Sequence, residues 1–383
     1  MMVGLRLFYF LFFVGLGLYS PAFPRWLEAH GISGFELGLV AATSPVMGLV
    51  SPPLFGWLAD RTGLRRALVG GTTALAGLVA LGLGLLAGAG RAGFETTLAL
   101  VGLLAFFRAP MGSLADTVAL ETGAAYGRVR LWGSLGFLVA AIAGGRYLEP
   151  TSNSLLVAVA MSLAVAALSS ALLPSRVGAS ADVPSRQASS LDVPRELRAL
   201  VACALALEAA HSAYDLCYSL HLRDHGVDVS TAGVLWALGV LAEVAFFLAG
   251  EHLLARFGAS KLLVVGTSAL ALRLVGLPHA HSVPVLVAMQ GLHAFTFGAT
   301  WTALMRIVRE RAQPGTLGRL RGLFSVTAAI GGAAGMITWG TCYRAVGGGM
   351  TFRCAAVVAV VATMLALASG RRLSAAPATT LAA

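Results

Sequence analysis

Twelve runs of mostly apolar residues, each close to the length that crosses a bilayer, divide this chain. Six fall at roughly 5–27, 36–58, 67–89, 96–119, 131–148 and 154–173. Six more fall at roughly 199–221, 231–254, 262–278, 283–305, 322–345 and 350–369. A spanning helix needs about 20 such residues. The pattern predicts an all-α membrane protein of twelve transmembrane helices in two pseudo-symmetric six-helix bundles. The first run lacks a small-x-small cleavage site and reads as a retained helix.

Composition excludes the soluble alternative. Hydrophobic residues make up 57% of the chain and charged residues 11%, where a soluble domain carries roughly 25% charge. The net charge of +10 comes from arginines scattered through short links, with no basic face and no stacking platform. The expected partner is therefore the lipid bilayer and not a nucleic acid. Arginine outnumbers lysine 26 to 1, and Ala, Gly and Leu dominate, as GC-rich bacterial coding would give. Cys203, Cys217, Cys342 and Cys354 form no C-x-x-C pair and read as small apolar residues, so neither a disulfide nor a metal is expected. No nucleotide-binding loop and no Ser-His-Asp spacing occurs, which argues against a primary pump and an enzyme; no cofactor is expected.

The segment 174–198 is rich in Ser, Pro, Ala and charge, and separates bundles expected at 1–173 and 199–370, with a tail over 371–383. The halves echo each other. Gly63 to Arg66 corresponds to Gly258 to Lys261 at an offset of 195, and Arg128-Val129-Arg130 to Arg319-Leu320-Arg321 at an offset of 191. With the N-terminus inside, nineteen basic residues fall in inner links and six in outer ones. That bias places both termini in the cytoplasm of a bacterial inner membrane.

The stretch Gly56–Arg66 (GWLADRTGLRR) resembles the signature that joins helices 2 and 3 in the major facilitator superfamily. Tyr126–Phe137 (YGRVRLWGSLGF), Gly239–Val244 (GVLAEV) and Gln290–Gly298 (QGLHAFTFG) are similar to patterns of the phenylpropionate permease family, as are His211 and Tyr214 in the seventh run. This family is related to the sugar–proton and nucleoside–proton symporters. The resemblance implies a secondary transporter that works by alternating access. It also implies a cavity lined by helices 1, 4, 7 and 10, with Tyr9, Phe12, Tyr19, Tyr214, Gln290, Phe295 and Phe297 as lining candidates. Arg108, Asp215 and Arg321 depart from the family pattern.

Charges at bilayer depth cost about 2.5–3.5 kcal/mol even on insertion scales, so each marks a partner or a wet cavity. Glu208, His211 and Asp215 lie at helical spacings of 3 and 4, on one face of the seventh helix. They read as a proton-handling cluster or as a hydrated cavity face. Glu243, Arg273 and His293 on consecutive helices resemble the acid–arginine–histidine set of the sugar–proton symporters, and read as a coupling site or a static ion pair. Arg108, near the midplane, suits a substrate carboxylate, with an internal salt bridge to Asp215 or Glu208 as the alternative. Asp60 is expected to latch the end of the eleventh helix, at about 0.3–1 kcal/mol for a carboxylate at a helix N-terminus. Its counterpart, Ala255, carries no acid. Arg61, Asp116, Arg128 and Arg130 complete the expected gate, while Arg65 and Arg66 are expected at lipid headgroups.

The expected function is proton-coupled symport of a small organic solute such as an aromatic carboxylate, by a monomer whose partners are substrate and protons. The alternatives are export of a hydrophobic metabolite or drug, sugar or nucleoside symport, and a non-transporting sensor or scaffold.

Overall fold

A computed structural model describes residues 2–121, 126–174, 195–312 and 316–375. Most of the link between the halves, with Arg176 and Arg186, and the last eight residues of the tail lie outside the described residues. The first half contains α1 (Met2–Ala29), α2 (Phe35–Thr62), α3 (Arg65–Gly88), α4 (Phe94–Glu121), α5 (Tyr126–Tyr147) and α6 (Ser154–Ser169). The second contains α7 (Arg198–Asp224), α8 (Val229–Phe257), α9 (Ala259–Gly276) and α10 (Val283–Arg311), then a helical body over Leu317–Ala375.

That last body is 59 residues long, about 90 Å at 1.5 Å per residue and three times the hydrocarbon thickness. It breaks at Gly347 (φ 74°, ψ 169°), a conformation open to glycine and strained for other residues. The two pieces are α11 (317–346) and α12 (348–375). The four-residue gap expected between these spans is thus reduced to one glycine. Ten helices among the described residues are long and apolar enough to cross a membrane, this folded-back body counted once. Outside that count, α5 carries Arg128, Arg130 and Arg146 within its 22 residues. It begins five residues before the expected span, so Arg128 and Arg130 sit on its first turns and not in a loop.

Helix ends follow local chemistry. Gly63 closes α2 in the left-handed conformation (φ 67°), and Gly258, its counterpart 195 residues on, also has positive φ (77°). Asp228 caps α8: its carboxylate accepts the Thr231 N–H at 2.9 Å and the Thr231 hydroxyl at 2.6 Å. These hydrogen bonds hold its carboxyl below the usual carboxylate range.

Three hydrophobic clusters describe how the halves meet. One draws on both halves and lies where α1 ends and α2 begins, with Trp26, Leu37, Tyr218, Leu235, Trp339 and Phe352. The other two lie at the end that holds the termini, and each belongs to one half. Leu5, Val69, Leu114 and Leu163 stand in the first; Leu200, Leu263, Val308 and Phe324 stand in the second. The bundles are therefore fused through apolar contact at the far end and separated at the end holding the termini.

Two seams close the far end, α2 on α11 and α5 on α8. Both rest on glycine. A Cβ on Gly340 would lie 2.6 Å from the Gly34 carbonyl oxygen, and one on Gly145 would lie 2.7 Å from that of Val229. Gly38 faces Gly340, and Gly233 faces Gly145. Gly38 and Gly233 are 195 residues apart, as are Gly145 and Gly340. Gly145→Leu should therefore force α5 off α8. Spin labels on Thr151 and His279, both exposed near this end, should shift to longer separations; an unchanged distribution would mean that the seam does not set closure.

Candidate functional site

A cavity of ≈ 290 Å³ lies between the halves. The first half lines it with Tyr19, Phe23, Thr43, Ser44, Arg108 and Phe137, and the second with Asp215, Trp236 and Met336 among others. Arg108 reaches it from α4, two residues before Pro110. Its Nη2 donates to Ser44 Oγ at 3.2 Å, and its guanidinium carbon stands 4.9 Å from the Tyr19 ring centroid. Among the described residues no carboxylate lies within ion-pair distance of it. The alternative of an internal salt bridge to Asp215 or Glu208 is therefore not what this conformation holds. Asp215, from α7, lines the same cavity and gives one oxygen to His211 Nδ1 at 3.2 Å.

A second group lies in the C-terminal bundle. Arg273 is fully buried. It donates to His293 Nδ1 at 2.9 Å and to Gln290 Oε1 at 2.7 Å, and its guanidinium carbon lies 3.7 Å over the Tyr214 ring. The Tyr214 hydroxyl donates to the same Gln290 oxygen at 3.1 Å. Because His293 Nδ1 accepts from an arginine, its ring proton belongs on Nε2. That nitrogen faces Glu243 Oε2 at 4.0 Å. Arg273 and Glu243 thus meet through the imidazole and not directly. Glu243 is also within electrostatic reach of Arg130 on α5 and His211 on α7. The His211 and His293 ring centroids are 5.8 Å apart, so the helix 7 cluster and the Glu243 group adjoin. Glu208 lies close enough to His211 and Asp215 to feel both charges. The sequence did not disclose a six-residue π-turn, Ala294–Ala299, that follows His293 and re-aims the rest of α10.

The remaining candidates fall elsewhere. Tyr9 and Phe12 are buried in the cluster of the first half and are not among the residues lining this cavity. The Tyr9 hydroxyl hydrogen-bonds Asp116. Phe295 packs edge-on against Phe246, and Phe297 stands beside His211 and His293. Asp60 accepts from Arg65 at 2.6 Å within its own half, so Arg65 is engaged with the joint and Asp60 is not on α11 in this conformation. Arg61 lies over Trp57, Arg130 lies over Phe13, and Arg128 is exposed.

One cluster went unread in the sequence. At the far end Arg223 of α7 donates to Glu28 of α1 at 2.6 Å and to Asp224 at 2.7 Å, and the Tyr343 hydroxyl of α11 donates to Asp224 at 2.6 Å. This tie joins the halves. Its signal was available, since Glu28 and Arg223 stand at the same 195-residue offset as the glycines.

A family profile described as the MFS_1 like family matches residues 2–354. The chain belongs to that family. This MFS_1 like protein is 29% identical over 372 residues to the probable 3-phenylpropionic acid transporter of Escherichia coli (strain K12), covering 94% of this chain and 96% of that one. It is 30% identical over 267 residues to the maltose permease of Geobacillus stearothermophilus, covering 68% of this chain and 66% of the relative. Its fold matches the crystal structure of a mutant of the nucleoside transporter NupG with a TM-score of 0.86 at 17% identity, over 97% of this chain and 99% of that one. The protein is a multi-pass membrane transporter of the major facilitator superfamily, and its substrate is a small molecule.

Proposed function

We propose that the chain is a proton-coupled symporter of a small aromatic carboxylate in a bacterial inner membrane. The observation that carries this reading is Arg108, a guanidinium with no carboxylate partner among the described residues, in a cavity walled by Tyr19, Phe23, Phe137 and Trp236. A carboxylate would take two parallel hydrogen bonds from it while the ring packs among aromatic faces. The likeness to a transporter of 3-phenylpropionic acid supports the same class of cargo.

With the termini cytoplasmic, as the arginine distribution indicates, the separated end faces the cytoplasm and the conformation is open inward. The bundles over 1–173 and 199–370 then rock about the cavity. Closing the inner end brings Asp60 toward α11, and opening the outer end requires release of Glu28 from Arg223. The proton is carried by the adjoining groups Glu243–His293–Arg273 and Glu208–His211–Asp215. Protonating a carboxylate beside a buried cation changes the balance of charge that holds the helices together, which ties proton movement to the change of conformation.

The test is uptake into proteoliposomes. An inward proton gradient should drive accumulation of 3-phenylpropionate above equilibrium, and collapsing the gradient should abolish it. Facilitated entry without accumulation would overturn the symport reading. A second reading, a neutral glycoside, is favoured by the likeness to a maltose permease. Competition by maltose and not by 3-phenylpropionate would establish it.

A further inference from the structure

Arg108 and Asp215 are charged groups of opposite sign that line one cavity from opposite bundles, and neither is neutralised by the other. Apart from Ser20, Thr43 and Ser44, all on the first half, the rest of the wall is apolar or aromatic. The Trp236 indole N–H is already spent on Ser219 at 2.9 Å, and the Thr43 hydroxyl on the Val40 carbonyl at 2.7 Å. Asp215 is the most polar point of the C-terminal wall. Its Oδ2 is held by His211, while its side chain is 42% exposed and lines the cavity. A carboxylate in that position keeps acceptor capacity on its second oxygen. A solute offering only a carboxylate and a hydrocarbon ring would satisfy Arg108 and lay an apolar edge against this charge, at a desolvation cost with no hydrogen bond in return.

We infer that the cargo is bipolar: a single-ring carboxylate with a hydrogen-bond donor, a hydroxyl or an amino group, at the end remote from the acid, which Asp215 receives. The inference rests on the carboxylate reading of Arg108 and deepens it. It makes Asp215 the residue that sorts one aromatic acid from another. It also gives cargo and His211 a shared carboxylate, so that binding bears directly on the helix 7 cluster. The cavity volume of ≈ 290 Å³ suits one ring and its two substituents, at the small end of ligand pockets.

The experiment is calorimetric titration of the purified full chain with three probes: 3-phenylpropionate, 3-(4-hydroxyphenyl)propionate and 3-(4-methoxyphenyl)propionate. The methoxy compound has the added bulk without the donor. On the parent protein the hydroxyl compound should bind about tenfold more tightly than either of the others, the effect of one hydrogen bond to a charged group. Asp215→Ala should bring the affinities of the three together. Asp215→Asn keeps an acceptor and loses the charge, so the advantage should fall to about threefold. The inference is overturned if the hydroxyl gives no advantage on the parent, or if the advantage survives undiminished in either variant. If no probe binds the parent protein, the carboxylate reading itself fails and this one with it. If all three bind equally there, the carboxylate reading stands and only the bipolar cargo is lost.

Discussion

Replacing Arg108 with glutamine should weaken binding of 3-phenylpropionate about a hundredfold, because two charge-assisted hydrogen bonds are together worth about 3 kcal/mol and each 1.4 kcal/mol is a factor of ten. No other described basic residue lines the cavity, and the Ser44 hydroxyl beside Arg108 cannot take over a full negative charge. Arg108→Lys should recover only part of the loss. Lysine brings the charge as a single point, without the planar fork that grips both oxygens and lies over Tyr19. Titration of the purified variants reads both numbers. A shift smaller than about threefold for glutamine would mean that the anion is held elsewhere, or that the cargo is not an anion. An uncharged ligand of the same shape, 3-phenylpropanol, should bind parent and variant alike.

Glu243→Gln should abolish accumulation against a gradient and leave counterflow exchange intact. Its carboxylate is the acid that faces the Nε2–H of His293, whose other nitrogen is held by the fully buried Arg273. Arg130 approaches from the opposite bundle, so the charge on Glu243 bears on both the buried network and the space between the halves. Glutamine keeps the shape but cannot ionise. The carrier should still bind and reorient with cargo, which counterflow reports, while an inward proton gradient should no longer raise internal substrate above the external level. Persistent accumulation would remove Glu243 from the coupling step and leave the Glu208–His211–Asp215 cluster as the carrier. Arg273→Met is the companion variant. It should damage stability as well as coupling, because Gln290, Tyr214 and His293 would lose their shared partner.

The architecture was legible because bilayer length and duplication are linear properties of a sequence. The apolar runs, the joint at Gly56–Arg66 and the echo at Gly258–Lys261 carried the fold, and the family match agrees with them. Helix boundaries were less legible. The start of α5 was hidden because Arg128 and Arg130 look like a loop when only hydropathy is read, and the turn at Gly347 because four successive residues read as a gap. Within the site, spacing on one helix was readable, as for His211 and Asp215 four residues apart. Contacts between helices were not. That His293 stands between Glu243 and Arg273 depends on rotations about three helix axes. So does the burial of Tyr9 and Phe12 away from the cavity, although both sit on a helix that lines it.

The 195-residue offset reaches further than the echo of two loops. Gly38 meets Gly340 and Gly233 meets Gly145, so the two seams are one contact made twice with the partners exchanged. That reciprocity is the mark of an isologous, two-fold interface, the kind a homodimer of six-helix chains would make. Glu28 and Arg223 occupy equivalent positions and touch each other, which puts them at the pseudo-axis. In a true homodimer that position would meet its own copy, and like charges there would repel. Joining the halves in one chain let one copy become an acid and the other a base, and turned a self-contact into a releasable clasp.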